Sequence, residues 1–285
     1  MIPAGFAYSR PATLEQALKE IANGSKVIAG GQSLLPLLKL RLAEVDKLVD
    51  IGRVPGLKGV RKLDDGRLAV GALTTYTELF ESPAREYGLL RDALPDIADV
   101  QVRNRGTVGG AIAHADPASD LPACMLALDA EIVLRSPKGE RTIRAGDFFQ
   151  GAFTTAIAPN EILTEVRLPG PRDDAGSAYR KLTQRASGYA IVGVAAVVVR
   201  GGDRKIAEAR IGITGVGDVA YRATAVEKAL MGSDGSAKAI AAAAAHATDG
   251  RTVNGDIHAD TEYRTAMAAI YTRRAIEGAL ARLDE

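Results

Sequence analysis

The sequence predicts an α+β protein with three lobes, in which two α+β lobes precede a C-terminal lobe with an antiparallel sheet and a helical layer. Its 285 residues exceed what one small core needs. Strand and helix patterns mix over 1–54 and 55–172, whereas strands precede a run of helices over 176–285. A proline- and glycine-rich linker at 169–174 separates the last two lobes.

In the first lobe, Thr13 and Gln16 have the spacing of a helix-capping box, and Asn23–Gly24 marks the end of that helix. The elements predicted after it are a strand at 26–29, a helix at 34–42 and a strand at 48–51.

The middle lobe begins with a hairpin at 59–62 and 67–71, in which Asp65–Gly66 favours a type I′ turn. Thr75 and Glu78 open a short helix, and residues 101–120 are predicted to be irregular because they are rich in glycine and polar residues. The remaining elements are helices at 86–100 and 121–128 and strands at 130–134, 140–144 and 162–168.

The last lobe has predicted strands at 178–182, 191–199 and 207–214 and helices at 222–231, 236–247 and 260–283. Residues 215–220 match the GxGxxA pattern of dinucleotide-binding proteins. No further strand follows to complete a βαβ unit, so a plain turn is the favoured interpretation.

Composition excludes several classes of function. A net charge of +1, 5% aromatic residues and no tryptophan argue against nucleic-acid binding. The longest apolar run, 190–199, is too short to span a bilayer, and no secretory signal pattern is present, so we expect a cytoplasmic protein without an integral membrane segment. Because Cys124 is the only cysteine, an iron–sulfur cluster cannot be ligated from within this chain.

Two glycine pairs are the strongest candidates for a binding site. The first follows a strand, in the segment Ala29, Gly30, Gly31, Gln32, Ser33 and Leu34. Adjacent glycines let the backbone approach a ligand closely, and the free N–H groups of a following helix start suit phosphate. A tight turn without a ligand is an equally good interpretation of this pair alone.

The second pair lies in the segment Thr107, Val108, Gly109, Gly110 and Ala111, within the irregular stretch. Such a stretch inside a compact domain indicates a functional loop, although a glycine-rich corner of a sheet is the alternative. Together, two neutral glycine loops on different lobes could bind a pyrophosphate through backbone amides.

Other chemistry finds little support. His114, His246 and His258 are dispersed, so no metal site is predicted, and no nucleophile–base arrangement can be argued. We assign no catalytic residue.

Three segments, 29–41, 101–123 and 181–196, resemble the FAD-binding medium subunit of molybdenum hydroxylases, in particular the carbon monoxide dehydrogenase type. The similarity extends over nearly the whole chain. It implies a fold like that of the vanillyl-alcohol-oxidase and cell-wall-reductase flavoproteins, with FAD between the first two lobes.

The resemblance also implies roles for individual residues. Both glycine segments would hold the pyrophosphate, although Gln32 stands where some members have histidine. Asp120 matches an aspartate of the family, Leu163 a backbone contact to the flavin ring, and Lys181 a lysine near the flavin. Tyr189 matches an aromatic residue at the isoalloxazine, or is a core tyrosine.

The function implied is an electron-transfer subunit of an oxidoreductase. Molybdopterin would reside on a large subunit and two two-iron two-sulfur clusters on a small subunit, with the complex assembled as a dimer of heterotrimers. A stand-alone FAD-dependent oxidoreductase and an interaction module without flavin are the alternatives.

Overall fold

The first lobe of the computed structural model, which describes residues 2–21 and 25–283, is built on a parallel sheet in the order β1-β3-β2. Its elements are β1 (Ala7–Ser9), α1 (Leu14–Glu20), β2 (Ser25–Ile28), α2 (Leu34–Lys39) and β3 (Lys47–Asp50). The hydroxyl of Thr13 caps α1 by accepting a hydrogen bond from the N–H of Gln16. The predicted helix stop at Asn23–Gly24 lies outside the described residues.

The middle lobe contains an antiparallel five-stranded sheet. The seven strands of this lobe are, in chain order, β4 (Val60–Lys62), β5 (Leu68–Gly71), β6 (Glu131–Ser136), β7 (Gly139–Arg144), β8 (Phe149–Gly151), β9 (Thr154–Thr155) and β10 (Ile162–Leu168). Strands β8 and β9 form a separate hairpin, and the others pair in the order β4-β5-β10-β6-β7.

Short helices pack around this sheet. They are α3 (Tyr76–Phe80), α4 (Gly88–Ala93), α5 (Val100–Arg103), α6 (Val108–His114), α7 (Asp120–Ala127) and α8 (Ala145–Phe148), with 3₁₀ turns at Pro83–Glu86 and Leu94–Asp96. The helix start predicted at Thr75 and Glu78 is confirmed, and both hydrogen bonds of a capping box form there at the start of α3.

Four local predictions differ from the structure. The helix predicted at 86–100 is broken, because Pro95 has no N–H to continue it and Ala98 has a left-handed φ of 44°. Helix α2 ends at Lys39 instead of residue 42, and Arg41 has a φ of 57°. The hairpin has one left-handed residue, Gly66, where a type I′ turn needs two. The stretch 101–120 contains α5 and α6 instead of being irregular throughout.

The C-terminal lobe confirms the predicted antiparallel sheet with a helical layer. Its elements are β11 (Ala175–Thr183), β12 (Ala190–Arg200), β13 (Ile206–Thr214), β14 (Tyr221–Arg222), α9 (Thr224–Leu230), α10 (Ala237–Ala244) and α11 (Thr261–Ala281). Helix α11 packs on β11 and β12 and α7 packs on β12 and β13, which explains why β12 is apolar along nearly its whole length. A Cβ on Gly212 would lie 2.1 Å from the carbonyl oxygen of Ala123, so the close approach of α7 requires glycine there.

Among residues 2–21 and 25–283, none of the helices combines the length and the apolar character needed to cross a membrane.

An ion-pair cluster joins the middle and C-terminal lobes at Asp92 of α4. Its carboxylate accepts hydrogen bonds from Arg282 at 2.6 Å, from Arg180 at 2.7 Å and from the N–H of Tyr179 at 3.1 Å. Burial raises the pKa of Asp92, but the hydrogen bonds from Arg282 and Tyr179 and the charges of the two arginines outweigh burial and lower the pKa. The ionised form of Asp92 is therefore part of the folded structure.

We expect Asp92→Ala to lower the free energy of unfolding by about 2 to 3 kcal/mol, because two partly buried guanidinium groups lose their counter-charge. A carboxyl whose folded pKa is lowered stabilises the fold above its unfolded pKa of about 3.9, and this contribution is lost as the pH falls through the folded pKa. The difference between wild type and variant should thus shrink in acid.

Urea unfolding at several pH values measures this difference. Glu277→Ala is the control, because it removes only an exposed ion pair with Arg273 and should change stability little. An Asp92→Ala protein as stable as the wild type at neutral pH would contradict the prediction.

Candidate functional site

The first glycine pair lies in the connection between β2 and α2, where the chain turns against the middle lobe. Gly31 has a left-handed φ of 73°. A Cβ on Gly30 would lie 2.1 Å from the carbonyl oxygen of Arg105, so the first glycine segment packs closely against the backbone that leads into the second. Among the described residues we find no acceptor for the backbone N–H groups of Gly31, Gln32 and Ser33. These N–H groups are donors that a ligand could use.

The second glycine pair occupies the first turn of α6, where sequence analysis predicted a loop. Thr107 is the N-cap, and its hydroxyl accepts a hydrogen bond from the N–H of Gly110 at 3.2 Å. The N–H groups of Val108 and Gly109 donate to carbonyl oxygens of the middle lobe, and the Gly109 donor lies 2.8 Å from Ala72. A Cβ on Gly109 would lie 2.5 Å from the Cβ of Ala72, whereas one on Gly110 would contact only Thr107. Gly109 therefore packs inward against the middle lobe, whereas the space beside Gly110 is limited only by the side chain of Thr107.

Backbone hydrogen bonds of Ala72 link the second glycine pair to β10, which carries Leu163, the predicted backbone contact to the flavin ring. The N–H of Ala72 donates to the carbonyl oxygen of Thr164 at 2.9 Å, next to Leu163. The side chain of Leu163 is buried in the main core, and the pairing of β10 with β6 shifts register between Leu163 and Glu165. A ligand contact at this position would therefore use the backbone of Leu163.

Asp120 and Lys181, predicted from different lobes, form a buried ion pair. The ammonium nitrogen of Lys181 lies 3.0 Å from the Asp120 carboxylate and also donates to the carbonyl oxygen of Asp96 at 3.0 Å. The hydroxyl of Tyr179 donates to the same carboxylate at 2.5 Å. Burial raises the pKa of Asp120, and the charge of Lys181 and the Tyr179 hydroxyl oppose that rise.

Tyr189 brings the C-terminal lobe to the first glycine segment. It lies in the turn between β11 and β12, and its side chain is part of the wall of a cleft of about 540 Å³. Burial and the nearby Asp116 carboxylate raise the pKa of the Tyr189 hydroxyl, and a hydrogen bond with Ser33 opposes this rise. Tyr189 is 43% exposed, so the structure does not make it a core tyrosine.

The structure therefore brings together most of the predicted residues. Gly30 contacts the segment that leads into Thr107, Tyr189 lies beside Ser33, and Asp120 pairs with Lys181. Ala29, Leu34 and Ala111 are partly exposed at the same segments. Sequence analysis missed Tyr179 and Asp116; Tyr179 could have been found because it is two residues from Lys181 and therefore on the same face of β11.

The arrangement fits the pyrophosphate of a dinucleotide. Unpaired N–H groups at 31–33 provide donors, glycine at position 30 permits the backbone contact, and Gly110 leaves its side of α6 without a side chain. Arg105, whose backbone carbonyl borders Gly30, is exposed.

The remaining sequence motifs do not form a second chemical site. Within the described part of the chain, no group of three or more histidine, cysteine or acidic side chains could hold a metal ion. The turn interpretation of 215–220 is confirmed, because β13 pairs antiparallel with β14 and Gly215 donates to the carbonyl oxygen of Pro117 at 2.8 Å. Cys124 is buried.

Two protein families match the chain. The family described as "FAD binding domain in molybdopterin dehydrogenase" matches residues 4–171, and the one described as "CO dehydrogenase flavoprotein C-terminal domain" matches residues 177–279.

Relatives match over the full length. The carbon monoxide dehydrogenase medium chain of Hydrogenophaga pseudoflava is 38% identical over 287 residues, with 99% of each chain covered. The alpha subunit of the 6-hydroxypseudooxynicotine dehydrogenase complex of Paenarthrobacter nicotinovorans is 39% identical, covering 99% of this chain and 97% of the relative. A solved structure of the Hydrogenophaga pseudoflava carbon monoxide dehydrogenase superposes with a TM-score of 0.94 at 40% identity, covering 99% of both chains.

The fold and the site thus define a flavoprotein in which FAD is the cofactor. The chain belongs to the family of FAD-binding medium subunits of molybdenum hydroxylases, and its role is that of an oxidoreductase subunit. The predicted fold class, cofactor and class of function are confirmed.

Proposed function

We propose that this chain passes electrons from two two-iron two-sulfur clusters on a small subunit, through FAD, to an external acceptor. A large subunit would carry molybdopterin, and the complex would be a dimer of heterotrimers. The observation that supports this most is the close approach of Gly30 to the backbone of Arg105 and Gly106, which brings the two glycine segments of different lobes side by side as one cradle for the cofactor. The single cysteine requires the clusters to come from a partner.

Each predicted site residue then has a task. The N–H groups of 31–33 and the open side of α6 at Gly110 and Ala111 hold the pyrophosphate, while Thr107, Val108 and Gly109 fix the helix start against the middle lobe. When bound, FAD supplies the exchange of single electrons with clusters and of electron pairs with an acceptor.

The residues deeper in the site position the ring. Lys181 and Asp120 form a buried pair of opposite charges that holds this part of the site in place. Leu163 contacts the flavin ring through its backbone. Tyr189 covers the outer side, where its hydroxyl lies near Ser33. None of these side chains is required to move a proton, which agrees with the assignment of no catalytic residue.

We further propose that 1–54 and 55–172 are the two FAD-binding lobes and that 176–285 is the C-terminal flavoprotein lobe. The separate sheets of the three segments support this division. A cytoplasmic location stays a prediction, which cell fractionation tests.

Purification of the native complex tests the proposed function. We expect the chain to copurify with an iron–sulfur subunit and a molybdopterin subunit, with one FAD per medium chain. Addition of the substrate of the large subunit should bleach the visible absorbance of the flavin, because the electrons reach FAD and reduce it.

The test has two outcomes that would contradict the proposal. A chain that is isolated alone and turns over a small organic substrate would be a stand-alone oxidoreductase. A colourless chain that takes up no added FAD would be an interaction module.

A further inference from the structure

Tyr76, the first residue of α3, is a buried tyrosine whose hydroxyl lacks a hydrogen-bond partner. The residue is 8% exposed and belongs to the main hydrophobic core. Its backbone N–H donates to the carbonyl oxygen of Gly106 at 3.1 Å, but its hydroxyl forms no hydrogen bond with any residue of 2–21 and 25–283. A buried tyrosine hydroxyl normally has a partner, because leaving it unpaired costs free energy.

The other buried tyrosines of the described chain follow this rule. Each donates a hydrogen bond from its hydroxyl: Tyr87 to the carbonyl of Pro169, Tyr179 to the carboxylate of Asp120, and Tyr221 to the carbonyl of Ala247. The Tyr76 hydroxyl is also absent from the fully enclosed side-chain atoms that lack a partner. It therefore borders a space that a ligand or water can reach.

The end of the Tyr76 ring lies against the cradle. A Cβ on Gly106 would lie 2.7 Å from Cε2 of Tyr76 and 3.2 Å from Cζ, the atom that carries the hydroxyl. A Cβ on Gly30 would lie 3.1 Å from the Cα of the same Gly106. Gly106 therefore contacts both the first glycine segment and the hydroxyl end of the tyrosine.

The charges around Tyr76 keep its hydroxyl in the donor form. Burial raises the pKa of Tyr76, and the nearby charges of Asp120 and Tyr189 raise this pKa further. The Asp120 carboxylate accepts hydrogen bonds from Tyr179 and Lys181 instead of Tyr76. The Tyr76 hydroxyl is thus a protonated donor among residues assigned to the flavin site, and its acceptor has to come from outside the described chain.

We propose that the Tyr76 hydroxyl donates a hydrogen bond to an oxygen atom of bound FAD. The inference rests on the proposed function, in which FAD occupies the cradle. FAD carries oxygen acceptors on its pyrophosphate, its ribityl chain and its ring, and a neutral donor suits each of them. Tyr76 is then a cofactor contact that lies outside both glycine segments.

The variant Tyr76→Phe removes only the hydroxyl, so titration of the flavin-free, full-length chain with FAD tests the contact. We expect about tenfold weaker binding of FAD. The thermal midpoint of the flavin-free variant should be no lower than that of the wild type, because phenylalanine replaces a buried hydroxyl that has no partner in the chain.

Titration with ADP locates the acceptor on FAD. If the variant loses affinity for ADP and FAD in parallel, the hydroxyl donates to the pyrophosphate. If only FAD binding weakens, the acceptor lies on the ribityl chain or the ring.

Tyr221→Phe is the matched control, because it removes a buried hydroxyl that does have a partner, the carbonyl oxygen of Ala247 at 2.9 Å in the C-terminal lobe. We expect the opposite pattern. FAD affinity should stay at the wild-type value, while the thermal midpoint of the flavin-free chain falls by about 2 to 4 °C.

Two results would overturn the inference. The first is a Tyr76→Phe chain that binds FAD as tightly as the wild type. The second is a flavin-free Tyr76→Phe chain destabilised as much as Tyr221→Phe, which would mean that a buried water already pairs with the hydroxyl. A wild-type chain that takes up no FAD would contradict the proposed function together with this contact.

Discussion

Replacing Gly110 by aspartate is expected to remove FAD from the protein while the fold stays in place. A Cβ on Gly110 would meet only the side chain of Thr107, and we expect a carboxylate at this position to lie near the proposed pyrophosphate position. Two like charges about 4 Å apart near a protein surface repel by about 4 kcal/mol, which corresponds to about a thousandfold loss in affinity. FAD retention after gel filtration and the dissociation constant from flavin titration measure the effect.

The same position is tolerant in structural terms. An acidic residue in the first turn of a helix is electrostatically favourable, and the one close contact of the added Cβ is the hydroxyl of Thr107 at 2.7 Å. Gly110→Ala should therefore cost about 1 kcal/mol, mainly by disturbing the N-cap.

Gly146→Asp is the matched control, because Gly146 is an exposed helical glycine with nothing within 4 Å of an added Cβ. It should retain FAD. If Gly110→Asp also keeps one FAD per chain, the second glycine segment does not hold the pyrophosphate.

Replacing Lys181 by methionine is expected to lower the free energy of unfolding by about 3 to 5 kcal/mol. The Lys181 side chain is 0% and the Asp120 side chain 5% exposed, so the variant leaves a buried carboxylate without its counter-charge. Methionine keeps the length of the side chain, so packing changes little. Chemical unfolding measures the loss.

The loss of stability in Lys181→Met should depend on pH, and the pKa of Asp120 gives the direction of that dependence. Burial already raises the pKa of Asp120, and loss of the ammonium raises it further. A carboxyl whose folded pKa is raised stabilises the fold below its unfolded pKa of about 3.9, and this contribution is lost as the pH rises toward the folded pKa. The variant should therefore lose more stability at neutral pH than in acid.

A double-mutant cycle tests whether the pair acts as a unit. Asp120→Asn removes the charge but can still accept the hydrogen bond from Tyr179. Asp120→Asn, Lys181→Met should be more stable than Lys181→Met alone, with a coupling energy of about 1 to 3 kcal/mol. Additive effects would mean that the two charges do not stabilise each other.

Local signals in the sequence predicted local structure well. Thr13 and Thr75 start helices as their side chains indicate, and β10 has the predicted bounds of 162–168. Helix caps and strand patterns depend on residues that are only a few positions apart, so both interacting groups can be identified from a short stretch of sequence. Of the four local predictions that were wrong, those at 86–100 and 101–120 depend on where the chain must turn to pack, whereas the turn type at Asp65–Gly66 and the end of α2 were errors in local signals themselves.

Contacts between residues of different lobes could not be predicted from local sequence signals. Lys181 is 61 residues from Asp120 in sequence, and Gly30 meets Arg105 from another lobe. Nothing in the neighbourhood of either residue specifies its partner, because such contacts form only when sheets and helices pack. Only the resemblance to a family had indicated that Asp120 and Lys181 share a site.

The sequence by itself determined the class of fold, the two glycine pairs and, through the single cysteine, the need for clusters from a partner. The tertiary structure decided what each glycine does. Gly109 is pressed against Ala72 of the middle lobe and serves packing, whereas a Cβ on Gly110, one residue further along the same helix, would meet only the side chain of the N-cap Thr107. Two adjacent glycines look identical in sequence, and only the direction of each missing Cβ within the packed fold distinguishes them.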